Sequence, residues 1–159
     1  PGSPDFNGTR GAWYQGVKLS LFNVSDPSDP FEVNSLVLGK RGTQSEVLFD
    51  HHALAFLPAT PEESARVAIP VDLHDSIPSH PGFDPDSPSA FYGYTHTGLY
   101  SFEIDQNEIR QVGLIYGTDA GTTINLQYSN YGDRSVLVDD AVYYIHRGGV
   151  VSSHWGDQP

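Results

Sequence analysis

The sequence contains neither cysteine nor methionine among its 159 residues. Without cysteine the chain can form no disulfide framework and offers no thiolate to a metal or a substrate, so the usual indicator of compartment is missing. Basic residues are scarce as well, with 8 Lys and Arg against 20 Asp and Glu, and the formal net charge is −12. Such a charge disfavours broad contact with nucleic-acid phosphates or anionic lipid, and we expect no nucleic-acid partner.

Long hydrophobic runs and a targeting segment are also missing from the sequence. The longest apolar stretches, residues 136–138 and 141–145, are far too short to span a bilayer, so we expect no membrane insertion. The first residues lack the charged-then-apolar layout of a signal peptide. Residues 1–15 are interpreted as an N-terminal extension, of which Pro1, Gly2 and Ser3 resemble a cloning scar. The length fits one domain with a real core.

Motifs for common catalytic chemistries do not occur in the sequence. There is no Gly-x-Ser-x-Gly turn, no glycine-rich phosphate loop and no His-Glu-x-x-His metal pair. These absences favour a noncatalytic protein over an enzyme, although a triad assembled from distant residues stays open.

What the sequence does contain is a series of short β-branched and aromatic runs separated by Gly, Pro, Asp and Asn. This punctuation predicts an all-β chain. Between two such runs lie Asp26-Pro27 and Asp29-Pro30, and each Asp-Pro pair favours a turn over a helix. The one predicted helical turn covers residues 61–65, with Thr60 as its N-cap.

The chain also resembles itself. Residues 47–56 (VLFDHHALAF) align with 136–145 (VLVDDAVYYI), and residues 16–39 align with 98–117. Four strands per repeated unit predict antiparallel β-propeller blades, about two blade equivalents with a circularly offset repeat. A full blade is predicted over 45–117, with strands at 46–56, 65–73, 98–105 and 109–116 and an insertion at 74–97. The outer hairpin (16–39) and the inner hairpin (134–155) are predicted to form the second blade, split between the chain ends.

Several sequence segments, taken in order along the chain, resemble those of a known family. VKLSLFNVSDPSDPFEV, RGTQSEVLFDHHALAF, RVAIPVDL, GLYSFEID and DRSVLVDDAVYYIHRGGV are similar to secreted bacterial and archaeal proteins that contain a C-terminal β-propeller domain. The resemblance implies a propeller fold and an extracytoplasmic location, and it offers no established catalytic residues. Two blades are fewer than the typical four to eight of a ring. The expected partners are therefore missing propeller blades or further copies of the chain.

Two groups of residues are candidate metal ligands. His51 and His52 follow Asp50, but neighbouring side chains of a strand point to opposite faces, so a turn at this position is the favoured interpretation. In the insertion, histidines suit a transition metal and carboxylates suit Ca²⁺; these candidates are His74, His80, Asp84, Asp86 and His96. No cofactor is assigned beyond these alternatives.

Phe91, Tyr92 and Tyr94 lie beside the insertion and are the candidate residues for stacking on a sugar or a peptide. The insertion interrupts a regular hairpin order, and long ordered loops on a rigid scaffold are often functional. The leading interpretation is a noncatalytic extracytoplasmic propeller module that binds a protein, glycan or surface ligand through its loops. The alternatives are a metal-dependent hydrolase-like propeller, and a structural segment that closes or oligomerises a ring.

Overall fold

The computed structural model describes residues 14–119 and 131–157. Every strand pair in these residues is antiparallel, which confirms the predicted all-β architecture. The strands are β1 (Val17–Asn23), β2 (Phe31–Leu38), β3 (Gln44–Ser45), β4 (Ala55–Leu57), β5 (Ala65–Ser76), β6 (Gly93–Ile104), β7 (Ile109–Asp119), β8 (Arg134–Val138), β9 (Ala141–His146) and β10 (Gly149–His154). Two single-turn 3₁₀ helices, Glu46–Leu48 and His51–Ala53, separate β3 from β4.

The centre of the protein is a sheet in which β5, β6 and β7 are neighbours in that order. β3 and β4 both pair with the edge of β5 that faces away from β6. With β3 and β4 counted as one interrupted strand, these five strands correspond to the four-stranded antiparallel blade expected over 45–117. The predicted pairing of its third and fourth strands is confirmed by the β6–β7 register, which runs from His96 opposite Asp119 to Ile104 opposite Ile109.

The prediction of one continuous strand over 46–56 is wrong, because the first strand of the blade is interrupted. Ser45 pairs with Val71 and Ala55 with Ala68, so nine residues of the first strand lie opposite only two of β5. One of those two is Pro70, which has no N–H to donate to a neighbouring strand. The Pro70 carbonyl accepts a hydrogen bond from Ser45 Oγ at 2.6 Å, so this carbonyl faces the interruption. The chain forms the two 3₁₀ turns at this position instead.

Two smaller predictions are corrected at loops. The insertion predicted over 74–97 is shorter, because β5 continues to Ser76 and β6 begins at Gly93, which leaves residues 77–92 as the connecting loop. The helical turn predicted over 61–65 is a bend. Thr60 nevertheless caps this segment as predicted, since its Oγ accepts hydrogen bonds from the amides of Glu62 and Glu63.

The two end units form separate sheets in the described residues, so the predicted second blade, split between the chain ends, is not assembled within one chain. β1 pairs only with β2 in the described residues, and the predicted inner hairpin is a three-stranded meander, β8–β9–β10. Both β1 and β2 contact β7, whereas β8 contacts β4 and β5. The end units pack on opposite faces of the central sheet, and the molecule is a stack of three sheets.

The alternation of side chains between the two faces of β5 explains why the end units pack on opposite faces of the central sheet. Val67, Ile69 and Val71 point to one face, where they pack with Phe102 and with residues of β1 and β2. Ala68 points to the other face and packs with Leu99, Ile115, Val142 and Tyr144, the last two from β9. A central strand that is apolar on both faces requires a cover on each side, and the two end units supply those covers. The N-terminal extension predicted over 1–15 lies almost wholly outside the described residues.

Candidate functional site

The loop formed by residues 77–92 is anchored to the rest of the molecule. Arg41 donates to the carbonyl of Ser89, and Gln15 Nε2 donates to the carbonyl of Pro88 at 2.8 Å. The amide of Tyr92 bonds to the carbonyl of Arg41 at 3.0 Å, and His74 Nδ1 donates to the carbonyl of Tyr92 at 2.8 Å. These bonds fix the C-terminal end of the loop against the β2–β3 connection.

Aromatic rings strengthen the anchor. The ring of His74 meets those of Phe91 and Tyr94 edge to face, at centroid distances of 5.5 and 5.7 Å. Phe83 packs against Tyr92 in the same manner at 5.2 Å. Edge-to-face pairs of this kind are favourable beyond the area that they bury. The loop therefore carries its own small cluster of rings.

The three residues predicted to bind a ligand have different environments. Phe91 is exposed on 55% of its surface, and the Arg41 guanidinium lies over its ring at 5.8 Å. Tyr92 is half-buried against Phe83. Tyr94 is half-buried as well, and its hydroxyl bonds to Thr97 Oγ at 2.8 Å, towards the interior. Of the three, Phe91 is the residue whose ring is available to a ligand.

Phe91 lines a groove of about 790 Å³ between the loop, the start of β1 and the first 3₁₀ turn. Three other large side chains in its lining are exposed: Tyr14, Leu48 and Phe49, at 84%, 65% and 76%. The charged residues of the lining are Lys18 and Arg41, with no carboxylate. Lys18 is ion-paired with Glu32 at 2.6 Å, and Arg41 donates to the carbonyl of Ser89, so both charges at the rim are engaged. We call this mainly apolar groove the Phe91 groove.

The predicted metal ligands of the insertion do not form a cluster. His74 is engaged with Tyr92, His80 is exposed, and buried His96 bonds through Nε2 to the Tyr100 hydroxyl at 2.8 Å. Asp84 and Asp86 are both exposed in one turn, where the Asp84 carboxylate accepts the Asp86 amide at 3.0 Å. In the described part of the chain, the group whose ligand atoms come together is Asp50, His51 and His52.

Asp50, His51 and His52 lie at the second 3₁₀ turn, as the turn interpretation of the sequence expected. Asp50 is its N-cap, and its carboxylate accepts the amide and Nδ1 of His52 at 3.0 and 2.9 Å. The other carboxylate oxygen bonds to Arg134 of β8. The hydrogen bonds from His52, followed by the charge of Arg134, lower the pKa of Asp50.

Sequence reasoning missed a buried polar layer between the central sheet and the β8–β10 sheet. Asp133 is 1% exposed, and its carboxylate accepts hydrogen bonds from the Tyr144 hydroxyl and from His146 Nδ1, the latter at 2.9 Å. Burial and the nearby Asp133 charge raise the pKa of Tyr144 well above its ordinary value. His146 Nε2 is buried with no hydrogen-bond partner among the described residues. The sequence offered one indication of this layer, which is that Tyr144 occupies an inward-facing position in the alternation of β9.

A second set of polar groups lies on the same face. Thr97 Oγ donates to Asp72, and both residues are buried. On the opposite face burial raises the pKa of Tyr100 to about 12, and desolvation lowers the pKa of its hydrogen-bond partner His96. These groups are enclosed between sheets, so they stabilise the stack and do not form an open site.

Comparison with known proteins identifies the fold family. The family model of the beta propeller domain matches residues 3–157. The chain belongs to the beta propeller domain family. No curated protein and no solved structure matches it. No helix in residues 14–119 and 131–157 is long and apolar enough to cross a membrane. The antiparallel sheets of the described residues agree with this family.

Proposed function

We propose that this propeller domain is a noncatalytic extracytoplasmic module that binds a protein partner through its loops. The observation that carries the proposal is the Phe91 groove, in which exposed rings from three separate segments face one apolar space. Exposed apolar clusters of this kind mark interaction sites on soluble proteins. The extracytoplasmic location follows from the resemblance to the secreted family alone.

A protein is favoured over a glycan or another surface ligand by the composition of the groove. Its lining is mainly apolar, whereas recognition of a sugar needs several polar groups around each ring. Val17 and Lys18 of β1 form part of the wall, and β1 has a partner on only one side in the described residues. An extended segment of a partner can pair with this free edge and place alternate side chains in the groove.

Both cations at the rim have partners within the chain: Lys18 is ion-paired with Glu32 at 2.6 Å, and Arg41 donates to the carbonyl of Ser89. The contribution of the groove to binding is therefore the burial of its apolar lining.

A display library of random peptides and an array of glycans, both probed with the intact domain, test the proposal. We expect selection of peptides with alternating apolar residues, and loss of their binding in Phe49→Ala and Phe91→Ala. Phe31→Ala is the matched control, because Phe31 is equally exposed but lies on β2 outside the groove. Selection of glycans in place of peptides, or peptide binding that survives both groove substitutions, contradicts the proposal.

A structural role in completing a ring is the second candidate, and a specific observation favours it. The outward face of the β8–β10 sheet is apolar, with Val136, Val138 and Val150 exposed at 38%, 50% and 63%. The first strand of the central blade also leaves Phe56 exposed at 57%. Faces of this type are covered in a complete propeller by the next blade. The hydrolase alternative would use His51, His52 or the histidines of the insertion. The insertion histidines lie apart, and among the described residues the group that comes together is Asp50, His51 and His52.

A further inference from the structure

The second 3₁₀ turn places two consecutive histidines side by side. On a strand the rings of His51 and His52 would point to opposite faces. In this turn their centroids are 4.1 Å apart and the ring planes differ by 33°. One ligand atom of each histidine and one carboxylate oxygen of Asp50 lie within 4.8 Å of one another. The interruption of the first strand thus creates a pair of imidazoles that a continuous strand could not form.

Asp50 determines which nitrogen of His52 is available. Its Oδ1 accepts both the amide and Nδ1 of His52, so Nδ1 carries the proton and the Nε2 lone pair is free. The Oδ2 atom accepts from Arg134, which holds the carboxylate in place from β8. A carboxylate that bonds the second nitrogen of an imidazole is the usual support of a metal-binding histidine.

The two histidines are also accessible. Both are exposed, and 73% of the His52 side chain is open to solvent. His51 has no hydrogen bond through its ring within the described segments that would have to be broken. An ion can therefore reach both rings without any movement of the core.

We propose that His51 and His52 bind a divalent transition-metal ion through two imidazole nitrogens, with Asp50 as a positioning residue. Imidazole suits copper, nickel and zinc, and a site with two nitrogens binds Cu²⁺ more tightly than Ni²⁺ or Zn²⁺. Ca²⁺ is excluded, because it takes six to eight oxygen ligands and the carboxylate oxygens of Asp50 are already engaged. Water completes the coordination, so the site lies on the surface and needs no partner chain.

Calorimetric titration of the untagged domain with CuCl₂, and separately with ZnCl₂, tests this site. We expect about one equivalent of Cu²⁺ to bind, and about a tenfold or greater loss of affinity in His51→Ala and in His52→Ala. His80→Ala and His154→Ala are matched controls, because both residues are exposed histidines outside the turn. Circular dichroism of each variant shows whether the fold is retained.

A second measurement separates positioning by Asp50 from a purely structural role. In Asp50→Asn the ¹⁵N shifts of His52 should show loss of the fixed Nδ1–H tautomer, together with weaker Cu²⁺ binding, while the fold is unchanged. Equal Cu²⁺ affinity in the wild type and in both turn variants overturns the proposal. So does the absence of binding of either metal, or an equal loss of affinity in the His80 control.

Discussion

At the scale of single residues, the buried His96 links stability to pH. Desolvation lowers the pKa of His96 from 6.5, so the folded state holds a proton at this ring less readily than the unfolded state does. The unfolded chain therefore binds more protons in the interval below pH 6.5, and folding is penalised there. The contribution of His96 is complete above that pH, and it is lost as the pH falls towards the folded-state pKa.

We predict that the free energy of unfolding decreases as the pH is lowered from about 7.5 to about 5.5, and that His96→Gln reduces this decrease. The reason is that glutamine keeps a polar group beside the Tyr100 hydroxyl but does not titrate. Urea unfolding at the two pH values measures the effect. His80→Gln should leave the pH dependence unchanged, since His80 is exposed. An identical pH dependence in wild type and His96→Gln would contradict the assignment.

Gly117 is required by close packing between two sheets. A Cβ atom there would lie 2.9 Å from Tyr144 Cε1 and 3.1 Å from His146 Cδ2. Tyr144 is fully buried and bonded to Asp133, so its ring cannot move aside. We predict that Gly117→Ala lowers the free energy of unfolding by about 1–3 kcal/mol. Gly149→Ala is the control, as the nearest atom to its Cβ would be a carbonyl oxygen 3.4 Å away. Equal stability of the two variants in urea unfolding would rule out this contact.

Residue-scale features were the least predictable from the sequence. Phe91, Tyr92 and Tyr94 are adjacent in the chain and carry similar rings, yet one faces solvent and Tyr94 bonds inward to Thr97. Tyr94 lies on β6, which begins at Gly93, whereas Phe91 lies in the preceding loop. The sequence predicted the strand to begin at residue 98, so it treated all three rings as loop residues.

At the scale of elements, the alternating pattern predicted β5, β6 and β7 well and the first strand of the blade badly. The pattern around Val47 and Phe56 is compatible with a strand, but the partner of that strand is β5, and Pro70 breaks the ladder between them. A proline affects the strand beside it, and the pairing of strands cannot be read from either segment alone. The same interruption produced the turn that holds His51 and His52.

Ser45 stabilises the blade at this interruption. Its hydroxyl donates to the carbonyl of Pro70 at 2.6 Å, and Ser45 is 1% exposed. We predict that Ser45→Ala lowers the free energy of unfolding by about 1–3 kcal/mol, because it leaves the Pro70 carbonyl buried without this partner. Ser152→Ala on exposed β10 should have little effect. Chemical denaturation compares the two variants, and a Ser45→Ala protein as stable as wild type would show that water or backbone replaces the bond.

At the scale of the whole molecule, the internal repeat predicted the kind of fold but not its assembly. Similarity between segments predicts a propeller fold, which the family match over residues 3–157 bears out. It does not show on which face of the central sheet a segment packs, because both faces of β5 are apolar. The sequence predicts that the end units are two halves of one blade; within one chain they lie on opposite sides of the central sheet, so such a blade can form only between copies.

This separation leaves complementary surfaces at the two ends of the stack. Among the described residues, β1 has a free edge beside the Phe91 groove. The β8–β10 sheet has an apolar outward face on which Val136 pairs with Tyr143 and Val150 with Ile145. A free edge is a template for pairing with another chain. Contacts of the β8–β10 sheet of one copy with the β1 side of the next are head to tail, and they give a ring when the rotation closes.

We predict that the domain associates with itself, and that association strengthens with salt. Each copy carries a net charge of −12, so repulsion opposes association at low ionic strength, whereas the contact faces are apolar and gain from burial. Light scattering should show a larger mean mass at about 0.5 M salt than at about 0.05 M. Val150→Lys should reduce this mass, because it places a charge on the outward face of the β8–β10 sheet. Gln111→Lys adds the same charge at an exposed position of β7 and should not. A monomer at both salt concentrations, or equal effects of the two lysines, would show that the ends of the stack do not meet in this way.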